Sequence, residues 1–457
     1  MKQYSTKFWI IFIVVSAIFL MGWFVFWEVK NQGFESLKRL VGMAPIAQET
    51  KTDLETVMSL ADSVLYTDGV EKTFLILFQN NLELRPGGGF IGSFGILKVR
   101  NGTIVDFAVH DTGNFDGRVP ATVAPLYPMK ETLRINSWKF RDSNYSPDFG
   151  ENVKWAETFY EMGQGTEKFD GVIAITTNVL TSFLRVTGPV TIDGFPGTYG
   201  ADNAILDLEY QVEQGYLKQN IAVGDRKSVM NILGFEILNR VKELSIAKKY
   251  ELFKVILDDL HKKDVQLSFK DESLQEQVAL SGWDGKVDSN WKNDYLFLVD
   301  ANLGAFKTDY YMTRSYAYTI DLTKSDAPQA TLAVTYKNTT KVKDWLAKDY
   351  QTFLRVYTPA QSYLTKVTGA AKDPVYGETF GKKYFGVLVH VPILTEKTVT
   401  FEYTLPKDFK REWYDLKIQK QPGLNDVPVS VTVIMKDGSK EEKSFVLNRD
   451  TVLSELQ

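Results

Sequence analysis

An apolar run near the N-terminus constrains this chain more than any other feature. Residues 8–27 contain no charged residue and no proline. As a helix, about 20 apolar residues span the hydrocarbon core of a bilayer, and Trp9, Trp23 and Trp27 suit the interfaces on either side. The run therefore predicts a single transmembrane helix. The alternative is a helix buried in a protein core, but this extreme N-terminal run has no polar face.

The charges that flank the run predict its orientation. Lys2 and Lys7 precede it, and Glu28 follows it at once. Positive charge is retained on the cytoplasmic side of a membrane. We therefore expect residues 1–7 to be a cytoplasmic tail and the chain beyond the anchor to be extracytoplasmic. No small-residue cleavage motif follows, which predicts an uncleaved, single-pass anchor in the cell membrane.

Composition excludes several classes of chemistry. The 457 residues contain no cysteine and only three histidines, His110, His261 and His390. Without cysteine there are no disulfides, thiol nucleophiles or zinc–thiolate sites, and the histidines lack the spacing of a zinc protease. A net charge of −4 offers no broad electrostatic basis for binding nucleic acid.

The pattern beyond the anchor changes twice along the chain. Residues 28–70 place apolar residues at helical spacing and predict a helical neck. Strands that alternate with helices over 71–305 predict an α/β domain, a mixed sheet with flanking helices. Short alternating strands over 306–457 predict an all-β sandwich of immunoglobulin-like type. Within the α/β part, Asn101-Gly102 between two such strands predicts a hairpin turn.

A polar turn between the first two predicted strands is the strongest candidate site. Its residues are Asn80, Asn81, Glu83, Arg85, Gly87, Gly88 and Gly89. Glycine lets main-chain N–H groups approach a ligand closely, and an arginine beside such groups is suited to phosphate. The alternative is a tight hairpin whose Asn and Glu side chains satisfy their own backbone.

Two further loops carry candidate residues. Asp142, Asn144 and Asp148 follow Arg141 within one loop, and their hard oxygen atoms suit Mg²⁺ or Ca²⁺. For Asp148, an alternative is the N-cap of the helix that follows. Later, Arg226 opens a helix after Gly224-Asp225. A cation at a helix N-terminus opposes the helix dipole, which favours an anionic partner there.

These motifs carry a resemblance to a known family. The runs at 78–90, 141–148, 188–190, 224–227, 300–302 and 354–359 recur in this order in the bacterial envelope family catalogued as domain of unknown function 4012. The chain is identified as a member on that basis. The resemblance implies an N-terminal membrane anchor and brings no established activity.

The order of these loops is also similar to that of the LytR-CpsA-Psr envelope phosphotransferases. That resemblance implies that Arg85, Arg141 and Arg226 clamp the phosphates of a polyprenyl-pyrophosphate glycan and that Asp142 holds Mg²⁺. From its place in the same loop, we expect Asp148 to be a second ligand of the ion. The turn departs from that family, since its usual Arg-Ser-Asp is absent and Gly188-Pro189 replaces a Gly-Gly.

The expected function follows from the anchor and these resemblances. It is an extracytoplasmic protein that binds a lipid-linked phosphate or glycan, with transfer of the glycopolymer phosphate to peptidoglycan as the reaction it would carry out. The alternative is a non-catalytic module that binds or scaffolds components of the cell envelope, in which the polar loops are structural.

Overall fold

The computed structural model describes residues 47–65, 69–222, 226, 228–324, 327–407 and 414–456. The predicted anchor at 8–27 and the first part of the predicted neck lie outside these ranges. Among the helices that are described, none combines the length and the apolar character needed to cross a membrane. The chain forms two compact units. Unit 1 contains the described residues up to 79, then 91–119 and 153–285, and unit 2 contains 80–90, 120–152 and 286–456.

Unit 1 is built on a five-stranded mixed sheet with the strand order β3-β2-β1-β4-β7. Strand β1 runs parallel to β4, while β2–β3 and β4–β7 are antiparallel. Asn101 and Gly102 both have positive φ between β2 and β3, which confirms the predicted hairpin turn. The strands are β1 Glu71–Asn80, β2 Phe90–Arg100, β3 Thr103–Asp111, β4 Gly171–Thr176 and β7 Val265–Phe269, with β5 Val190–Thr191 and β6 Thr198–Tyr199 forming a separate pair.

Helices flank this sheet, as the α/β pattern predicts. Their apolar residues recur at helical spacing, so that one stripe of α5, α8 and α9 joins the core beneath the sheet. The helices are α1 Gln48–Leu65, α2 Thr112–Asp116, α3 Met129–Leu133, α4 Phe149–Met162, α5 Asn178–Thr187, α6 Ala204–Tyr210, α7 Tyr216–Lys218, α8 Ser228–Glu243, α9 Ile246–His261 and α10 Glu272–Leu280. Of these, α3 and the first turn of α4 belong to unit 2.

Helix α1, the described part of the predicted neck, belongs to unit 1. Thr56 Oγ donates to the carbonyl of Gln277 at 3.1 Å and lies 2.8 Å from the hydroxyl of Ser281, at the end of α10. His261 Nε2 lies 2.9 Å from Asp53 Oδ2 of α1. These contacts, together with the buried Val57 and Leu60, hold α1 against the α/β unit.

Unit 2 contains two six-stranded sheets, in the orders β12-β15-β10-β9-β17-β18 and β13-β14-β11-β8-β16-β19. The pairs β8–β16 and β9–β17 are parallel and the other described pairs are antiparallel. The strands are β8 Asp294–Asn302, β9 Met312–Asp321, β10 Gln329–Asn338, β11 Tyr350–Pro359, β12 Tyr363–Thr368, β13 Val375–Thr379, β14 Lys382–Val391, β15 Glu396–Thr404, β16 Tyr414–Gln419, β17 Val427–Ile434, β18 Lys440–Leu447 and β19 Thr451–Leu456.

One apolar core joins the two sheets of unit 2. It contains Leu332 and Phe401 of the first sheet together with Leu298 and Leu354 of the second. Along β9 every second residue is buried, since successive side chains of a strand point to opposite faces. This confirms the predicted many-stranded β region at the C-terminal end of the chain.

The two units interleave along the sequence, whereas the change in pattern indicated one boundary near residue 305. Strand β8, which the pattern assigned to the α/β part, pairs with β11 and β16 in unit 2. The polar turn at 80–90 and the loop at 120–152 also belong to unit 2. The local sequence pattern identifies a strand but not the sheet that the strand joins. For this reason the observed units differ from the predicted division near residue 305.

Candidate functional site

The polar turn is shaped by close approaches within unit 2. A Cβ atom at Gly89 would lie 2.4 Å from the carbonyl carbon of Asn80, and one at Gly87 would lie 2.5 Å from Asn152 Nδ2. Gly88 has φ +132°, a conformation that residues with a side chain rarely adopt. Within the turn, Phe90 N donates to the carbonyl of Glu83 at 2.9 Å. Gly87 and Gly89 therefore make room for other protein atoms, and Gly88 supplies a positive φ to the turn.

Arg85 is the central side chain of the candidate site. Its Nη2 lies 2.7 Å from Glu83 Oε1 and its Nε lies 3.3 Å from Asp142 Oδ1. Its Nη1 donates to the backbone carbonyl of Asn302 at 2.5 Å. The residue is only 2 % exposed. The structure thus brings together three of the predicted charged residues, Arg85, Asp142 and Glu83, with both carboxylates bound to the one guanidinium.

Burial controls the electrostatics of this group. It raises the pKa of Glu83, although Arg85 and Lys307 act in the opposite direction. Burial alone would lower the pKa of Arg85, but the charges of Glu83 and Asp142 outweigh it and the pKa of the guanidinium is raised. With all three groups ionised, two carboxylates against one guanidinium leave a formal charge of −1. An incoming phosphate would find a guanidinium that two carboxylates already bind.

The remaining predicted ligand residues form hydrogen bonds that tie the turn to its surroundings. Asn144 Nδ2 donates to the carbonyl of Gly89 at 2.6 Å, and Gly87 N donates to the carbonyl of Asn144 at 3.0 Å. Asn81 Nδ2 donates to the carbonyl of Gly423 at 3.0 Å. Asn80 Oδ1 accepts from Leu82 N at 3.1 Å. The turn and the 141–148 loop, far apart in sequence, therefore form one buried cluster.

Asp148 has the role of a helix cap. Its Oδ1 accepts from Glu151 N at 3.1 Å, in the first turn of α4, and its Oδ2 accepts from Val287 N at 3.0 Å. The capping alternative is confirmed. Both oxygens serve backbone N–H groups and Asp142 faces a cation, so this donor set does not fit an octahedral Mg²⁺ site. Across the described part of the chain, no group of three or more His, Asp or Glu side chains is arranged so that it could hold a metal ion.

Comparison with known families matches part of the chain. Residues 69–212 match the family described as "Protein of unknown function (DUF4012)". This match supports the resemblance to the DUF4012 family over these residues. The DUF4012 segment contains the polar turn, the 141–148 loop and therefore the Glu83–Arg85–Asp142 group.

Curated proteins and solved structures add little to this result. No curated protein matches the chain. Lin1025 of Listeria innocua is 11 % identical over 50 % of this chain and 85 % of its own, with a TM-score of 0.25. The protein lpg2210 of Legionella pneumophila, proposed to bind nutrients, is 11 % identical over 26 % of this chain, with a TM-score of 0.20. Aminopeptidase A of the same organism is 13 % identical over 29 % of this chain, with a TM-score of 0.19. The chain covers only half of lpg2210 and 17 % of the aminopeptidase, and likenesses this low carry no argument.

The other predicted clamp residues have separate surroundings. Arg226 follows the DUF4012 segment in sequence and belongs to unit 1, where its Nη1 lies 3.4 Å from Glu213 Oε2. Both side chains of that pair are about one-third exposed, at 34 %. Arg141 is half-buried in a short 3-10 turn, Phe140–Asp142, of unit 2. The predicted set of three arginines is thus divided between the two units.

A second buried arginine, Arg314, was not among the residues predicted from the sequence. Arg314 Nε lies 2.9 Å from Asp300 Oδ2, and its Nη2 lies 2.6 Å from Asp309 Oδ1. Asp309 Oδ2 accepts from Asn302 Nδ2 at 2.8 Å and from Leu84 N at 3.0 Å. Asn302 therefore bridges the two arginine groups. The signal was present, since the alternation of β9 places Arg314 on the same face as Tyr316 and Tyr318.

Proposed function

We propose that this protein is a membrane-anchored, extracytoplasmic module of the cell envelope that binds or scaffolds envelope components without catalysis. The single observation that carries the proposal is the state of Arg85. Its guanidinium is buried and is bound by Glu83, Asp142 and the carbonyl of Asn302. A residue held in this way acts as an internal brace of unit 2.

Energetics support this assignment. Removing one partner from a buried ion pair costs about 3–5 kcal/mol, because the other charge is left uncompensated. A phosphate that bound Arg85 would have to displace Glu83 or Asp142. Each binding event would then carry the free-energy cost of leaving that carboxylate without its partner. The immunoglobulin-like prediction for unit 2 fits the same role, because sandwiches of this type commonly present loops and strand edges to partners.

Two measurements on the full chain test the proposal. The first is co-sedimentation of the detergent-solubilised protein with isolated cell walls, and we expect binding. The second is phosphate release from a short polyprenyl pyrophosphate with Mg²⁺ present, and we expect none. Release by the unaltered protein would contradict the proposal without any variant, which avoids the concern that an Arg85 variant does not fold.

A second candidate function has one observation in its favour. Arg85, Asp142, Asn144 and the glycines do assemble into one cluster within the DUF4012 segment. In a glycopolymer phosphotransferase of the LytR-CpsA-Psr type, an acceptor hydroxyl on peptidoglycan would attack the phosphorus attached to the glycan. The bond from that phosphorus to the polyprenyl phosphate would break, and the hydroxyl proton would pass to a base.

This candidate has a distinctive pH dependence. Glu83 faces Arg85, Lys307 and Asp142, and burial raises the pKa of its carboxyl group. As pH falls, Glu83 takes up a proton at a higher pH than an ordinary glutamate does, and its ion pair with Arg85 is lost. Binding of a polyprenyl pyrophosphate at Arg85 would therefore strengthen as pH falls, and Glu83→Gln would bind it at all pH values. Absence of binding by this variant would remove the candidate.

A further inference from the structure

Unit 1 carries an open cleft that none of the predicted site residues lines. Its volume is about 270 Å³. One wall comes from the β2–β3 hairpin and the other from the segment that follows α4. The whole cleft lies within unit 1 and within the DUF4012 segment.

Aromatic side chains form the floor of the cleft. Phe115 and Tyr160 are stacked, with ring centroids 5.8 Å apart and planes 9° apart, and Phe94 meets Phe115 edge-on at 5.0 Å. All three residues are at most 5 % exposed. His110 stacks on Phe94 at 4.9 Å. Interlocked rings of this kind make a rigid, apolar surface.

The segment Gly163-Gln164-Gly165 is built to fit against that floor. A Cβ atom at Gly163 would lie 2.5 Å from the ring of Phe115, and one at Gly165 would lie 2.2 Å from the ring of Tyr160. Between them, Gln164 has φ +64°, although it carries a side chain and is exposed. This left-handed conformation closes the end of helix α4, where Gly165 N donates to the carbonyl of Tyr160 at 2.9 Å, and the exposed Gln164 lines the cleft.

Planar polar groups surround the aromatic floor. They are the side chains of Asp106, His110, Arg118, Gln164 and Glu167. Arg118 lies over the ring of Phe115 at 4.8 Å. Glu167 is paired with Lys98 at 3.0 Å. The remaining charges, Asp106 and Arg118, balance each other, so the rim has no net charge with which to attract an anion.

We infer that this cleft binds one neutral sugar ring of a glycan. Carboxylate, amide and guanidinium groups offer paired hydrogen bonds to neighbouring hydroxyls, while the aromatic floor receives the apolar C–H groups of the ring. The cleft is just below the range of about 300–1,000 Å³ typical for drug-sized ligands, which suits a single ring. The inference rests on the proposed binding function and names its ligand.

Calorimetric titration of the full chain tests the inference. The detergent must lack a sugar headgroup, because a maltoside would compete for the cleft. The probes are N-acetylglucosamine, its trimer chitotriose and inorganic phosphate. We expect both sugars to bind with dissociation constants of about 1 mM or tighter and phosphate not to bind. The inference would be overturned if neither sugar gave a heat of binding, or if phosphate bound more tightly than the sugars.

Matched variants locate the binding. Gln164→Gly relieves the strained backbone and should fold at least as well, and we expect it and Arg118→Ala each to weaken sugar binding about tenfold or more. The controls are Gln361→Gly, another exposed glutamine with positive φ (+68°), and Arg134→Ala, another exposed arginine, both in unit 2. If the cleft variants and the controls bound the sugars with equal affinity, the inference would be contradicted.

The two proposals fail in different ways. If the protein co-sediments with walls but binds neither sugar, the assignment of the cleft is wrong and the envelope-binding function stands. If it binds the sugars in the cleft but does not co-sediment with walls, the cleft assignment stands and the wall-binding function is contradicted.

Discussion

Arg85 donates from Nη1 to the backbone carbonyl of Asn302 at 2.5 Å, across 217 positions of sequence. The side chain of Asn302 in turn donates to Asp309 at 2.8 Å, which also pairs with Arg314. The turn that follows β1 is thereby anchored to the end of β8, in the middle of the second sheet of unit 2. The arginine that the sequence singles out as a ligand-binding group is part of this connection.

Replacing Arg85 should be strongly destabilising. In Arg85→Ala, Glu83 and Asp142 remain buried without their cation, so we expect the free energy of unfolding to fall by about 3–5 kcal/mol. Chemical denaturation followed by fluorescence would measure it. Lys366→Ala is the control, since its pair with Glu402 is exposed and is worth at most about 1 kcal/mol. A loss as small as that of the control would mean that Arg85 is not an internal brace.

Asp294 should make unit 2 less stable as pH rises. Its Oδ2 accepts from Tyr318 at 2.8 Å and from Tyr414 at 2.5 Å, and burial raises its pKa to about 6. The folded protein therefore binds a proton more tightly than the unfolded chain does. The resulting stability is complete below the ordinary aspartate pKa of about 4, and it is lost as pH rises through about 6.

The substitution Asp294→Asn should flatten this dependence. Asparagine has no proton to lose, so we expect the fall in unfolding free energy between pH 4 and 7 to be smaller in the variant. Urea denaturation at several pH values measures it, with Asp426→Asn as an exposed control. An unchanged slope would show that Asp294 titrates as an ordinary carboxylate.

Gly165 should not tolerate a methyl group. A Cβ atom there would lie 2.2 Å from the ring of Tyr160, whereas nothing lies within 4 Å of one at Gly92. We expect Gly165→Ala to lose about 1–3 kcal/mol, as overpacked sites do, and Gly92→Ala to be neutral or slightly stabilising. Thermal unfolding of the two variants compares them. Equal stability would show that the segment after α4 moves away from the ring without cost.

Asp148 should contribute to stability independently of metal. In Asp148→Ala, helix α4 loses its cap and Val287 N loses its acceptor. Loss of a cap costs about 0.5–2 kcal/mol, and the orphaned N–H adds to this. We expect the same loss with and without Mg²⁺, measured by chemical denaturation. A loss that appears only with Mg²⁺ would reinstate the metal prediction.

Local features of the fold were predictable because they depend on neighbouring residues. The Asn101-Gly102 turn, the alternation along β9 and the cap at Asp148 each arise within a few positions of the chain. The candidate cluster was predictable in part, since Arg85, Asp142 and Asn144 do meet. The ion pair between Glu83 and Arg85 was not predicted. The two residues lie in one turn, and the sequence of the turn does not show that both side chains are buried.

The sequence by itself determined the strands, the helices and the residues whose polarity demands a partner. Only the tertiary structure decided which partner each received: Asp142 lies 57 positions from Arg85, and Arg314 of β9 joins Asp300 of β8 although the two strands belong to different sheets of unit 2. The physical reason is that periodicity encodes which face of an element is buried, whereas pairing of charges depends on which elements are packed together. Within unit 2, the predicted phosphate-binding Arg85 receives two carboxylate partners, Glu83 and Asp142.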